Sequence, residues 1–260
     1  MRLEDKFKQL NQEGKKAFIA YFPFGFPKIA YTNDIFLALQ KGGVDIIEFG
    51  FPFSDPLADG PIIQQASACA LKQKITVDSF FDNIKKIKKD IKIPMVVMSY
   101  YNPVFQYKLS NFFKKAKENK ISGTILVDLP FEESNNYIGE AKRFDIDPIF
   151  FITPTTSAKR VKKIAKNSKG FIYYVSITGI TGPKALKYSD ISLHIKNIKK
   201  ITKTPVCVGF GIHNHQQVKK ISSFSDGVIV GSEIVNFIDK HYKQKNFLKK
   251  LEDHVRRLRS

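Results

Sequence analysis

Tryptophan is absent from the 260 residues, cysteine occurs twice and arginine six times. Cys69 and Cys207 are too few and too far apart for a disulfide framework or a cysteine metal site, which points to a reducing compartment. No apolar run approaches the ~20 residues of a membrane span. The stretch from Met1 to Lys16 is charged, lacks the apolar segment of a signal peptide, and is too acidic for a transit peptide. The expectation is a soluble intracellular protein, cytoplasmic or, if organelle-encoded, in the plastid stroma. Low-complexity linkers and charge blocks are also missing, so residues 1–260 read as a single domain.

Lysine is what the chain has in excess. Lys+Arg 43 against Asp+Glu 24 leaves a formal charge of +19, with the lysines scattered over the whole length. A nucleic-acid binder concentrates its bases in a stripe or tail, with Arg prominent at phosphates. The joint richness in Lys, Ile, Asn, Phe and Tyr reads instead as the imprint of an AT-rich coding genome. Neither nucleic acid nor a membrane is expected as a partner. A small phosphorylated substrate would be drawn by the positive field.

Eight short apolar runs punctuate the chain: Ala17 to Phe22, Asp45 to Gly50, Pro94 to Tyr100, Gly123 to Leu129, Asp147 to Thr153, Phe171 to Ile177, Pro205 to Gly211 and Asp226 to Ser232. They are β-branched, aromatic and almost continuously hydrophobic, as strands buried on both faces should be. Helical patterns fill the gaps at residues 33–40, 76–89, 109–117, 132–143, 158–165, 191–201 and 216–221. Thr76 is placed to cap one of them, and Gly42-Gly43 to stop another. A chain of this length can hold about two domains, but α/β barrels routinely fill ~250 residues as one. Eight strand–helix alternations therefore predict an α/β fold, a single (β/α)8 TIM barrel with an extra N-terminal helix. An insertion with its own helix follows strand two, at residues 51–74. An open doubly wound sheet is the competing architecture.

In a barrel, chemistry belongs at the carboxyl ends of the strands. Glu48 ends strand two among Ile46, Ile47 and Phe49, where desolvation favours the protonated carboxyl and suits it to general acid–base work near neutral pH. The structural alternative is a buried Glu paired with Lys or Arg. No strand run contains either, although a loop residue could reach it. The same inventory argues against Schiff-base chemistry, which needs a strand lysine. His213 and His215 form the one close His pair and read as loop polar groups, not metal ligands. Gly209 and Gly211 end strand seven, Gly231-Ser232 ends strand eight, and Gly182 follows strand six. Those positions suit backbone N–H groups holding a phosphate, or simply turns. The loop Gly50 to Pro61 carries Asp55 and Asp59 close to Glu48; it reads equally as an ordered surface loop or as a lid.

The segment Glu48-Phe49-Gly50-Phe51-Pro52-Phe53-Ser54-Asp55-Pro56-Leu57-Ala58-Asp59-Gly60-Pro61 closely resembles the signature of the tryptophan synthase alpha chain family. The similarity extends through Tyr100-Tyr101-Asn102-Pro103, Asp128-Leu129-Pro130 with Glu132-Glu133, the Thr178 to Gly182 loop, Gly209-Phe210-Gly211-Ile212 and Val230-Gly231-Ser232. The resemblance implies a lyase that cleaves indole-3-glycerol phosphate to indole and glyceraldehyde 3-phosphate in L-tryptophan biosynthesis. It implies that Glu48 is the general acid–base and that Asp59 holds the indole N–H. By the same resemblance, Gly182, Phe210, Gly211, Gly231 and Ser232 hold the phosphate, while Tyr21, Tyr100, Ile125, Tyr173 and Thr181 surround the indole or the loop that closes over it. No cofactor is expected in this chain. The partner implied is a pyridoxal-phosphate-dependent beta chain in an alpha2-beta2 complex, met through an exposed surface carrying Pro52, Phe53 and Asp55. Two departures stand out. This chain has Gly25-Phe26-Pro27 where many members have Gly-Asp-Pro, and Ile177 where some have Arg. Two other readings remain, a related phosphate-binding barrel isomerase and a non-catalytic barrel that regulates a partner.

Overall fold

The computed structural model describes residues 1–176, 187–209 and 211–260. Nine parallel strands are present among them: β1 Ala17–Pro23, β2 Ile46–Gly50, β3 Met95–Ser99, β4 Gly123–Leu126, β5 Asp147–Ile149, β6 Phe151–Ile152, β7 Ile172–Val175, β8 Val206–Gly209 and β9 Gly227–Val230. They form one sheet in the order β5-β4-β3-β2-β1-β9-β8-β7-β6. Its two ends, β5 and β6, are the halves of one continuous segment, separated only by Phe150. The Phe150 carbonyl still accepts from the Tyr173 backbone N–H at 3.0 Å. The sheet is therefore closed into the eight-stranded barrel expected from the pattern, with the fifth strand kinked at Phe150; the open sheet is excluded.

Alternation along the strands sorts side chains into two cores. Ile19, Ile46, Val96, Ile125, Ile149, Cys207 and Ile229 point into the barrel. Leu3, Phe7 and Leu10 of the N-terminal helix Leu3–Gln12 join them. Neighbours such as Phe18, Ile47 and Phe49 face the surrounding helices instead. A helix whose apolar face belongs to the interior cluster must lie across the amino-terminal end, where it seals the barrel.

Thr76 caps the helix Val77–Ile87 as expected: its side chain accepts from the Ser79 N–H while Ser79 Oγ accepts from the Thr76 N–H. The helix expected from residue 33 begins earlier and spans Ile29–Lys41. Its first turn is tied down by the Ile29 N–H donating to Gln73 Oε1 at 2.6 Å, a contact 44 residues away that no local pattern reveals. The insertion after β2 contains the helix Pro61–Leu71, with Pro61 in its first turn. Helices Tyr101–Gln106, Ser232–His241 and Phe247–Arg259 lie outside the segments expected from periodicity. Ser232, expected at a strand end, begins a helix instead. Phe26 is buried in the outer core. No described helix is long and apolar enough to cross a membrane.

Phe80, on the helix Val77–Ile87, packs against Phe51 of the insertion and against Phe24 and Phe49 of the barrel wall. It is fully buried, with Phe24, Phe49, Phe51 and Phe81 at ring-centroid distances of 4.6–5.5 Å. Phe80→Ala should lower unfolding free energy by about 3–5 kcal/mol in urea denaturation. A loss under about 1 kcal/mol would show that this aromatic cluster contributes little to stability.

Candidate active site

Glu48 sits in β2 opposite Tyr21 of β1 on one side and Val96 of β3 on the other. It is 1% exposed, and its Oε2 has no hydrogen-bond partner among the described residues. Burial pushes its carboxyl up to about 8, and the charge of Asp59 adds to the rise. No ion pair to Glu48 exists among the described residues, which removes the salt-bridged alternative for them.

Asp59 lies in the loop between β2 and the helix Pro61–Leu71 and is also buried. Burial lifts it to about 6, and a hydrogen bond from Tyr100 works in the opposite direction. The Tyr100 hydroxyl donates to Asp59 Oδ2 at 3.3 Å and accepts from the Ala58 backbone N–H at 3.0 Å. The Phe53 ring stacks on the Tyr100 ring at 5.0 Å. Tyr100 therefore orders the loop as well as walling the site, a role its place after strand three did not disclose. One strand further round, Asp128 Oδ1 accepts from the Tyr101 N–H at 2.6 Å and fixes the turn that carries Tyr100.

Tyr21 and Tyr173 complete the group. Burial holds both hydroxyls well above the usual tyrosine range, and the charges of Glu48 and Asp59 push the same way. Their proximity depends on glycine: a side chain at Gly50 would collide with the Tyr21 hydroxyl, and one at Gly209 with the Tyr173 hydroxyl. Ile125 is fully buried in the barrel interior. Five of the expected residues, Tyr21, Glu48, Asp59, Tyr100 and Tyr173, are thus gathered at one mouth of the barrel.

Of the residues expected to hold phosphate, Gly231 is the N-cap of the ten-residue helix Ser232–His241. The free N–H groups of that first turn and the helix dipole favour an anion. Gly211 adopts φ 74°, a left-handed conformation suited to glycine. Thr181, Gly182 and Phe210, with Ile177, lie outside the described residues.

The loop surface differs from expectation at one point. Pro52 is buried, because the Phe51 N–H continues the ladder to the Met98 carbonyl (2.8 Å) and holds this stretch against the barrel. Phe53 is half-buried on Tyr100, Asp55 is exposed and hydrogen-bonded by Ser54 Oγ, and Leu57 is the exposed apolar side chain of the loop. Among the described residues no three His, Cys, Asp or Glu side chains converge as a metal site.

The model of the family described as "Tryptophan synthase alpha chain" matches residues 7–260. This chain belongs to the tryptophan synthase alpha chain family. It is 42% identical to the tryptophan synthase alpha chain of Thermoanaerobacter sp. (strain X514), over 99% of this chain and 98% of that one. Its identity to the alpha chain of Methanocaldococcus jannaschii is 40%, covering 96% and 89%. The crystal structure of tryptophan synthase subunit alpha from Legionella pneumophila superposes with a TM-score of 0.92 at 33% identity, over 99% and 97%. As a member of the tryptophan synthase alpha chain family the chain is a lyase of L-tryptophan biosynthesis, and its reaction is the cleavage of indole-3-glycerol phosphate to indole and glyceraldehyde 3-phosphate.

The raised Glu48 carboxyl makes a prediction that needs no substrate. Unfolded, Glu48 ionises near 4.5; folded, it keeps its proton to about 8. Between those values the unfolded state holds fewer protons, so Glu48 costs stability progressively as pH rises, by up to ~1.4 kcal/mol per pH unit, and no further above about 8. Glu48→Gln should therefore gain on the wild type in urea-unfolding free energy between pH 5 and pH 8. A difference that stays flat with pH would mean that Glu48 ionises normally.

Proposed function

We propose that Glu48 is the general acid–base of the cleavage and Asp59 the carboxylate that holds the indole N–H. One observation carries the assignment: two buried carboxyls lie at the same mouth with ionisation displaced to different pH, about 8 and about 6. Near neutrality Glu48 keeps its proton while Asp59 is largely ionised, which divides the two roles by environment. Glu48 gives its proton to indole C3, producing an indolenine whose nitrogen gains positive charge. The Asp59 carboxylate stabilises that charge. The Glu48 carboxylate then takes the proton of the C3′ hydroxyl. The C3–C3′ bond breaks, its electron pair restores the indole ring, and the hydroxyl carbon leaves as the aldehyde of glyceraldehyde 3-phosphate.

Tyr21, Tyr100, Ile125, Tyr173 and Thr181 are assigned to the indole and its closing loop. Gly182, Phe210, Gly211, Gly231 and Ser232 are assigned to the phosphate, a role that the helix N-terminus at Ser232 supports. We infer that the chemistry needs no cofactor in this chain. The partner is a pyridoxal-phosphate-dependent beta chain, bound in an alpha2-beta2 complex through the loop that carries Pro52, Phe53 and Asp55. The stacking of Phe53 on Tyr100, and the bond from Tyr100 to Asp59, give that loop a direct mechanical route to the site.

Two measurements test the reading. Indole formation by Glu48→Gln should fall by at least ~100-fold with substrate binding retained, and Asp59→Asn should lower turnover rather than only affinity. Glu48→Gln that keeps more than about a tenth of wild-type turnover would rule Glu48 out. Titration with the cognate beta chain should raise turnover by ordering the loops, and Asp55→Ala should lose that rise while keeping the fold. No rise at saturating partner, with complex formation shown independently, would leave a self-sufficient lyase.

A further inference from the structure

The end of the barrel opposite Glu48 carries a cleft of about 870 Å³, within the range of small-molecule sites. Its walls are the N-terminal helix, the first residue of β5 and the segments that precede β1, β7, β8 and β9. Conserving the fold does not require a basic cleft here, since like charges gathered on a concave wall repel. Yet seven of the eighteen lining residues are Lys or Arg, against 43 of 260 in the chain, more than twice the overall frequency.

The cations are of two kinds. Lys8 pairs with Glu4, Lys15 with Glu13, Arg2 with Asp145, and Lys16 and Lys199 share Asp226. Lys169 and Lys203 are exposed on the cleft wall and have no ion-pair partner among the described residues. Between these cations lies a carboxyl of a different character. Asp147 is 7% exposed and forms no ion pair within 4.0 Å among the described residues, although Arg2 and Lys169 are close enough to act on its charge. Burial lifts it to about 6, so it is ionised at pH 7.5. Gly170, at φ 68°, leaves room beside it: a Cβ there would lie 3.2 Å from Asp147 Oδ2 and collide with Leu3. Ser168, in the same wall, is 4% exposed, and its hydroxyl has no hydrogen-bond partner among the described residues.

A cleft with unpaired ammonium groups on its rim and an unpaired acceptor within it fits a ligand that is anionic at one end and rich in hydroxyls at the other. We propose that this cleft is a second ligand site, one that binds a sugar phosphate, with Lys169 and Lys203 on the phosphate and Asp147 accepting from the sugar hydroxyls.

The test reads the cleft directly. Wild-type protein is acetylated at limiting reagent with and without ribose 5-phosphate, and each lysine's rate is read by mass spectrometry. At about 10 mM ligand the rates at Lys169 and Lys203 should fall at least about threefold, as occupancy with a millimolar Kd requires. Lys85 and Lys86, exposed on the helix Val77–Ile87, should not change. Occupancy of the catalytic mouth does not imitate this result, because that mouth lies at the other end of the barrel. Asp147→Asn should weaken ribose 5-phosphate protection about tenfold, as loss of a charge-assisted hydrogen bond implies. It should leave protection by inorganic pyrophosphate unchanged or stronger. Unaltered rates at Lys169 and Lys203 with ribose 5-phosphate overturn the site. Equal protection by pyrophosphate and ribose 5-phosphate in the wild type overturns the sugar assignment, and that comparison stands even if Asp147→Asn does not fold.

Discussion

A parallel sheet has no hairpins to hold neighbouring strands together, so the barrel depends on every strand finding a partner on both sides. The demanding place is Phe150, where the fifth strand bends and passes from β4 to β7. β5 pairs with β4, β6 pairs with β7, and the carbonyl between them still accepts from Tyr173. That continuity gives the molecule an interior sealed below by Leu3, Phe7 and Leu10. Only a closed interior can desolvate Glu48 as completely as observed, and only in such an interior do Gly50 and Gly209 bring two tyrosine hydroxyls close without a clash.

The active end uses this dryness against stability. An unpaired carboxyl in an apolar barrel is unfavourable in its charged form, and a second carboxylate nearby increases the cost. Asp59 is relieved by Tyr100, and Glu48 is not relieved by any described residue. The tension is what places one proton between two groups at neutral pH. Asp45, also buried, is treated differently. Asp45 accepts from the Phe18 N–H and meets Arg259 and Lys6, a fully partnered structural role.

Much of this was legible beforehand. The eight apolar runs and the cap at Thr76 are local signals that correspond to the observed strands and helix, and the motif from Glu48 to Pro61 supplies the two carboxyls found buried at one mouth of the barrel. Other features were not legible. The early start of the helix Ile29–Lys41 rests on Gln73, and the burial of Pro52 rests on Met98. Ser232 changes from strand end to helix start because its segment leaves the sheet at Val230, although apolar residues continue beyond. In the first two cases a partner distant in sequence overrides a local preference.

The sequence by itself determined the barrel class and the residue types available for chemistry, because strand burial and the exclusion of lysine from the strands are matters of composition and period. The solvation of those residues was decided only by tertiary structure. Glu48 and Asp59 are ordinary carboxylates in the chain, eleven positions apart. They become an unequal pair because barrel closure removes water from both while Tyr100, from another strand's end, reaches one of them alone. The same holds at the opposite end. Lys169 and Lys203 are unremarkable lysines until the segments before β7 and β8 bring them to one concave wall beside Asp147.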